Sequence, residues 1–206
     1  MNMITIVNYG LGNLASIQNM CRKLGIDSVI TDRPEVIETA DRLILPGVGH
    51  FKAGMDNLHA SGLKPLLDRL VLGERRPVLG ICLGAQLMTR HSEEGDVDGL
   101  GWVDADTVAF DAARLGGLKI PHMGWTDIVI RSEGDPIWAR IPEEPRFYFV
   151  HAYHFSFRSE AEVAATCTYG YEFACAFRKD NIYGMQFHPE KSHKYGMRVL
   201  ENFARI

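Results

Sequence analysis

Short, uninterrupted apolar runs recur through the first half of the chain, and each is cut off by glycine or proline before a helical stripe begins. Met3 to Val7 ends at Tyr9-Gly10, Leu43 to Leu45 ends at Pro46-Gly47-Val48-Gly49, and Pro77 to Ile81 leads directly into Cys82. Runs of that length without alternation are strands covered on both faces, so the sheet they form needs helices above and below it. The segments between them supply those helices. Leu14, Ile17, Met20, Cys21 and Leu24 fall at three- and four-residue intervals behind Asn13, a capping residue, and Gly25 closes the stripe. Ile26 to Ile30 restarts a strand, Phe51 to Leu72 reads as helix with a break near Ser61-Gly62, and Leu83 to Thr89 turns into helix again. Strands alternating with helices at this spacing predict parallel βαβ units. The fold class is therefore α/β, a doubly wound core with its sites at the carboxyl ends of the strands.

The second half changes character. Trp102 to Phe110, Trp125 to Ile130, Phe147 to Phe157, Ala161 to Tyr169 and Tyr171 to Phe187 read as strands separated by polar turns. They predict antiparallel additions to a mostly parallel core, hence a mixed sheet. Met197, Val199, Leu200 and Phe203 mark a closing helix. No repeat or linker divides the 206 residues, so residues 1–206 are expected to form a single domain.

Composition then removes several functions. The net charge is -4, with Lys and Arg scattered, which leaves no basic stripe for nucleic acid. Nothing approaches the roughly 20 apolar residues of a membrane span. The apolar run at the N-terminus is too short for a signal peptide and has no basic residues before it, so a cytoplasmic location is expected. Cys21, Cys82, Cys167 and Cys175 form no C-x-x-C pair, which fits reduced thiols in that compartment.

One of those cysteines stands in Gly80-Ile81-Cys82-Leu83-Gly84, between a strand and a helix. Flanking glycines permit the sharp turn that exposes a nucleophile, and a helix N-terminus favours a thiolate. A buried structural cysteine would also fit this junction taken alone. Far along the chain, Gly184-Met185-Gln186-Phe187-His188-Pro189-Glu190 delivers an imidazole and, two residues later, a carboxylate. A thiol nucleophile needs a base that takes its proton and returns one to the leaving amine, and that base needs an acceptor to fix its tautomer. Cys82, His188 and Glu190 supply all three roles. The H-x-E spacing puts both side chains on one side of an extended segment. His151 and His154 suggest a metal pair, but no third ligand accompanies them, so no metal and no cofactor are expected.

With these residues the chain resembles the class I, triad-type glutamine amidotransferases, from end to end. Asn8-Tyr9-Gly10-Leu11-Gly12-Asn13-Leu14, Leu45-Pro46-Gly47-Val48-Gly49, Pro121-His122-Met123-Gly124-Trp125 and Tyr148-Phe149-Val150-His151 make it most similar to the glutaminase subunits of imidazole glycerol phosphate synthases. Asn8, Ala152 and Thr126 depart from the usual pattern without touching the triad. The resemblance implies a flavodoxin-like doubly wound core, L-glutamine as substrate, a glutamyl thioester on Cys82, and ammonia passed to a (βα)8-barrel cyclase as heterodimer partner in histidine biosynthesis. It implies an oxyanion hole from the backbone of Val48, Gly49 and Leu83. Glutamine would be held by Gly47, Gln86, Glu94 and the backbone of Ala152 and Tyr153, with Met123 and Trp125 toward the partner. A sugar-amidating partner in surface polysaccharide synthesis, a non-catalytic binding module and a cysteine hydrolase acting on another amide are the competing readings.

Overall fold

The computed structural model describes residues 3–206. Its first four strands are β1 (Ile4–Val7), β2 (Ser28–Thr31), β3 (Arg42–Gly47) and β4 (Val78–Cys82). Short strands β5 (His91–Ser92) and β6 (Val97–Asp98) precede β7 (Ala105–Ala109), β8 (His122–Ile130), β9 (Arg146–His151) and β10 (Tyr153–Phe157). The last three are β11 (Val163–Tyr169), β12 (Tyr171–Lys179) and β13 (Ile182–Met185). Helices are α1 (Leu14–Lys23), α2 (Pro34–Ile37), α3 (Phe51–Ala60), α4 (Lys64–Asp68), α5 (Leu83–Gln86) and α6 (His193–Phe203).

Parallel pairing gives the core order β2-β1-β3-β4-β13, the flavodoxin-like arrangement. Its residues alternate between two apolar layers. Ile4, Ile6, Ile44, Leu79 and Ile81 pack with Ile17 of α1 and Val199, Leu200 and Phe203 of α6. Val7, Leu43, Leu45 and Val78 pack on the other face with Phe51, Met55, Leu58 and Leu67 of α3 and α4. Antiparallel strands extend the sheet from β13 through β12 and β10 to β7, while β11, β8 and β9 branch from β12.

Several boundaries differ from the expectations. Asn13 sits at the cap of α1, but its side chain makes no capping hydrogen bond. The helical stretch after Phe51 breaks at Ser61 and Gly62 as expected, and it ends in a π-turn at Arg69–Gly73. Helix α5 stops at Gln86, because Leu87 to Val103 turns back and its backbone N–H groups bond the carbonyls of Leu87, Met88 and Thr89. Phe147 to Phe157 is two strands: β9 pairs with β8, whereas β10 joins β7 and β12, so the chain changes partner at Ala152. Tyr171 to Phe187 folds back at Asp180, which allows β13 to lie parallel to β4.

Where β4 passes into α5, two glycines leave no room for a side chain. A Cβ on Gly84 would lie 1.8 Å from the Leu45 carbonyl oxygen, and one on Gly80 would lie 2.6 Å from Ala85 Cα. Both neighbours are backbone, so neither can give way. Gly84→Ala is expected to lower unfolding stability by about 1–3 kcal/mol in a denaturant titration. Gly73→Ala, with nothing within 4 Å of the added atom, is expected to be neutral or stabilising by up to about 1 kcal/mol.

Candidate active site

Cys82 ends β4 with φ 52 and ψ -113, a strained conformation for a residue with a side chain. That geometry turns the thiol out of the sheet at the start of α5, while the residue stays 6% exposed. The register places Gly47 of β3 opposite Cys82. Val48 and Gly49 therefore continue the chain from the residue that lies one strand spacing, about 4.8 Å, from Cys82. Gly49 has φ +114, a value that favours glycine, and a Cβ on Gly47 would meet Gly84 N and the Tyr9 hydroxyl at 2.7 Å. Tyr9 donates to the Pro46 carbonyl at 2.6 Å and fixes the base of this segment. The backbone N–H of Leu83, in the first turn of α5, has no partner within its helix by position.

The second half of the site arrives from β13. His188 Nδ1 lies 2.8 Å from Glu190 Oε1, with both side chains 1% exposed. The connection differs from the expected extended segment: Pro189–Lys191 is a 3-10 turn that swings the carboxylate back onto the imidazole. Two features pin the turn. Ser192 Oγ donates to the His188 carbonyl at 2.6 Å and accepts from Tyr148 N, while His188 N donates to Tyr148 O. A Cβ on Gly196 would lie 1.7 Å from the Pro189 carbonyl, so α6 presses directly on it.

Burial opposes charge on the His188 imidazole, but its contacts with Cys82 and Glu190 outweigh that cost and raise it to about 10. Because Glu190 occupies Nδ1, coupling to the thiol runs through Nε2, which is buried and has no other protein partner. The arrangement is that of an imidazolium held between a carboxylate and a sulfur.

The remaining expected residues distribute unevenly. Gln86 is 5% exposed, and its amide donates to the Tyr153 carbonyl at 3.0 Å and to Gln186 Oε1 at 3.1 Å. Glu94 accepts from Phe51 N at 2.7 Å, which ties the β5–β6 turn to the start of α3. The Tyr153 hydroxyl is pushed up by burial and by the charges of Glu94 and Glu93, so Gln86, Tyr153 and Glu94 form one neighbourhood. Ala152 marks the break between β9 and β10. Met123 and Trp125 are exposed on β8, with Trp125 stacked on His193. Val48 is exposed as well.

The sequence reading missed Gln186, which is fully buried with Nε2 3.8 Å from Cys82 Sγ. A polar residue inside the apolar run Met185 to Phe187 was the available signal. It also missed a histidine chain. His151 Nδ1 meets the Tyr153 carbonyl at 2.7 Å, His122 Nδ1 meets His151 Nε2 at 3.0 Å, and His122 Nε2 meets Thr126 Oγ1 at 2.7 Å. A carbonyl only accepts, so His151 carries its proton on Nδ1 and accepts at Nε2. His122 then donates from Nδ1 and accepts from the Thr126 hydroxyl. Burial lowers His122 to about 4 and holds His151 well below its ordinary value, which keeps both neutral. His154 spends its ring nitrogens on the Phe155 carbonyl and the Tyr171 hydroxyl.

The family model described as "Glutamine amidotransferase class-I" matches residues 5–206. The chain belongs to the class I glutamine amidotransferases. It is 46% identical to imidazole glycerol phosphate synthase subunit HisH 2 of Pseudomonas aeruginosa over 204 residues, covering 99% of this chain and 100% of that one. Identity to HisH 2 of Methanococcus maripaludis is 48% over 203 residues, covering 98% and 99%. A solved glutamine amidotransferase from Thermotoga maritima shares the fold, with TM-score 0.64, 18% identity, and coverage of 98% of this chain and 81% of that one. Among the described residues, no helix is long and apolar enough to cross a membrane.

In an amidotransferase built this way, the charge on His188 is open to direct measurement. The His188 ring proton signal is expected to titrate near pH 10 by NMR, and to move down toward 6.5 in Glu190→Gln and in Cys82→Ala. By linkage, a raised folded pKa contributes stability that is fully present below 6.5 and is lost as pH rises through about 10.

Proposed function

We propose that the chain hydrolyses L-glutamine on Cys82 as the glutaminase subunit of imidazole glycerol phosphate synthase, working in the cytoplasm. The observation that carries the reading is Cys82 on a strained elbow beside a buried His188–Glu190 pair. The full-length relationship to HisH subunits supports the pathway.

The chemistry follows from the arrangement. The Cys82 thiolate attacks the side-chain amide carbon of glutamine, and the carbonyl oxygen becomes an oxyanion facing the N–H groups of Leu83 and the Val48–Gly49 segment. Preorganised donors of this kind are each worth on the order of 100-fold or more in rate. His188 passes its Nε2 proton to the departing nitrogen as the C–N bond breaks, which leaves a glutamyl thioester and ammonia. Water then attacks the thioester while His188 takes its proton. That step restores the imidazolium; collapse then expels the Cys82 thiolate and releases the γ-carboxylic acid, which loses its proton to solvent as glutamate. Glu190 keeps Nδ1 protonated throughout and stabilises the positive ring. Gln86, Glu94 and the Tyr153 backbone hold the amino-acid end of the substrate, with the carboxylate of Glu94 suited to its ammonium.

Ammonia is delivered to a (βα)8-barrel cyclase that docks against the exposed Met123 and Trp125 of β8. Trp125 stands beside a hollow lined by Arg146, His193, Lys194 and Tyr195, and Val48 is exposed at the oxyanion segment. Docking there would link the partner to the peptide orientation of Gly47 to Gly49, so the free chain is expected to be a weak glutaminase.

Ammonia release from glutamine, measured with and without the cyclase barrel and its ribonucleotide substrate, tests this reading. Release should rise many-fold with the loaded barrel. Cys82→Ala should abolish it, and Glu190→Gln should reduce it by about 10,000-fold. Stimulation by a sugar-amidating synthase alone would keep the glutaminase and overturn the pathway.

A further inference from the structure

Gln186 is completely buried just past the end of β13, on the segment that leads to His188, and its amide lies between two functional groups. Its Oε1 accepts from Gln86 Nε2 at 3.1 Å, and its Nε2 points at Cys82 Sγ at 3.8 Å. The sense of that amide is fixed by its neighbours. Gln86 uses its two N–H bonds on the Tyr153 carbonyl and on Gln186 Oε1, so the Gln186 end facing the sulfur is its NH2 group. The backbone leaves it little freedom, because Gln186 N donates to the Cys175 carbonyl at 2.9 Å.

The sulfur has a competing partner. In the thiol form it donates to the Val150 carbonyl at 3.8 Å, which favours the neutral state. An N–H donor at the same atom favours the charged state. Gln186 therefore supplies an uncharged side-chain donor directed at the sulfur, while His188 approaches through its ring.

We infer that Gln186 is a positioning residue that stabilises the Cys82 thiolate and, through the same amide, holds Gln86 in the orientation that receives glutamine. The inference rests on Cys82 being the nucleophile. Two consequences follow. Loss of the donor shifts the sulfur toward its protonated form, which slows attack. Loss of the acceptor frees the Gln86 amide, which weakens glutamine binding. A residue that only filled space would change neither the titration of the sulfur nor KM.

The test uses the full chain with Gln186→Met, which keeps length and removes both polar functions, and Gln186→Glu, which keeps an acceptor and replaces the donor by a carboxylate. Cys82 alkylation by iodoacetamide is followed across pH by mass spectrometry of the labelled peptide, with ammonia release measured in parallel. The alkylation midpoint should rise by roughly one pH unit in Gln186→Met and further in Gln186→Glu. KM for glutamine should rise in Gln186→Met while kcat falls on the order of 10-fold. Midpoints superimposable on the unsubstituted chain in variants that melt normally would overturn the inference.

Should both variants fold poorly, the unsubstituted chain still decides. The Gln186 side-chain amide protons must shift in step with the Cys82 titration, and an amide signal indifferent to that titration would overturn the inference. Alkylation needs no glutamine, so a chain whose Cys82→Ala variant still releases ammonia would sink the glutaminase reading separately.

Discussion

Cys82 can hold its positive φ only because β4 and α5 approach each other at backbone contact, and that approach exists only where Gly80 and Gly84 have no side chains. Strain of this kind costs on the order of 1–3 kcal/mol and persists when the surroundings over-determine it. Here the surroundings are the Leu45 carbonyl of the fully buried strand β3 on one side and Ala85 of α5 on the other. The register that puts Gly47 opposite Cys82 is part of the same arrangement, so one close contact positions the nucleophile and the oxyanion segment together.

The two halves of the site are brought together by the sheet rather than by proximity in the chain. β13 lies parallel to β4 with Met185 opposite Ile81, which carries Gln186 and His188 past the elbow. Parallel pairing of strands so distant in sequence needs the whole antiparallel excursion from β7 to β12 to return the chain. For His188, burial alone would favour a neutral ring; the carboxylate and the sulfur reverse that balance. Breaking the pair on one side would leave a buried charge uncompensated, which is why the turn from His188 to Ser192 is pinned at several points.

Much of this was legible in the sequence, and the reasons it was not complete are specific. The strands ending at Val7 and Cys82 follow from continuous apolar runs, the one expected to stop at Leu45 runs on through Pro46 to Gly47, and the elbow follows from its two glycines. Phe147 to Phe157 could not be divided in advance, since Ala152 breaks the strand without any turn residue and the cause is a change of pairing partner. The 3-10 turn at Pro189 was hidden because a two-residue spacing fits an extended segment equally well, and only contact with Gly196 and Ser192 selects the tighter form. Gln86 carried no mark of burial, for an amide shows its worth only when its partners are known.

The Tyr153 carbonyl receives hydrogen bonds from both directions, from His151 on one side and Gln86 on the other. Every link on the histidine side, from the Thr126 hydroxyl through His122, is aimed toward it. The chain of donors therefore has a polarity, like a row of arrows converging on one point. No single ring can switch tautomer alone without setting two donors or two acceptors face to face. Collective reversal fails as well, because the terminal Tyr153 carbonyl has no proton to give, so strand β8 and the pocket around Gln86 share a wire with a single fixed sense.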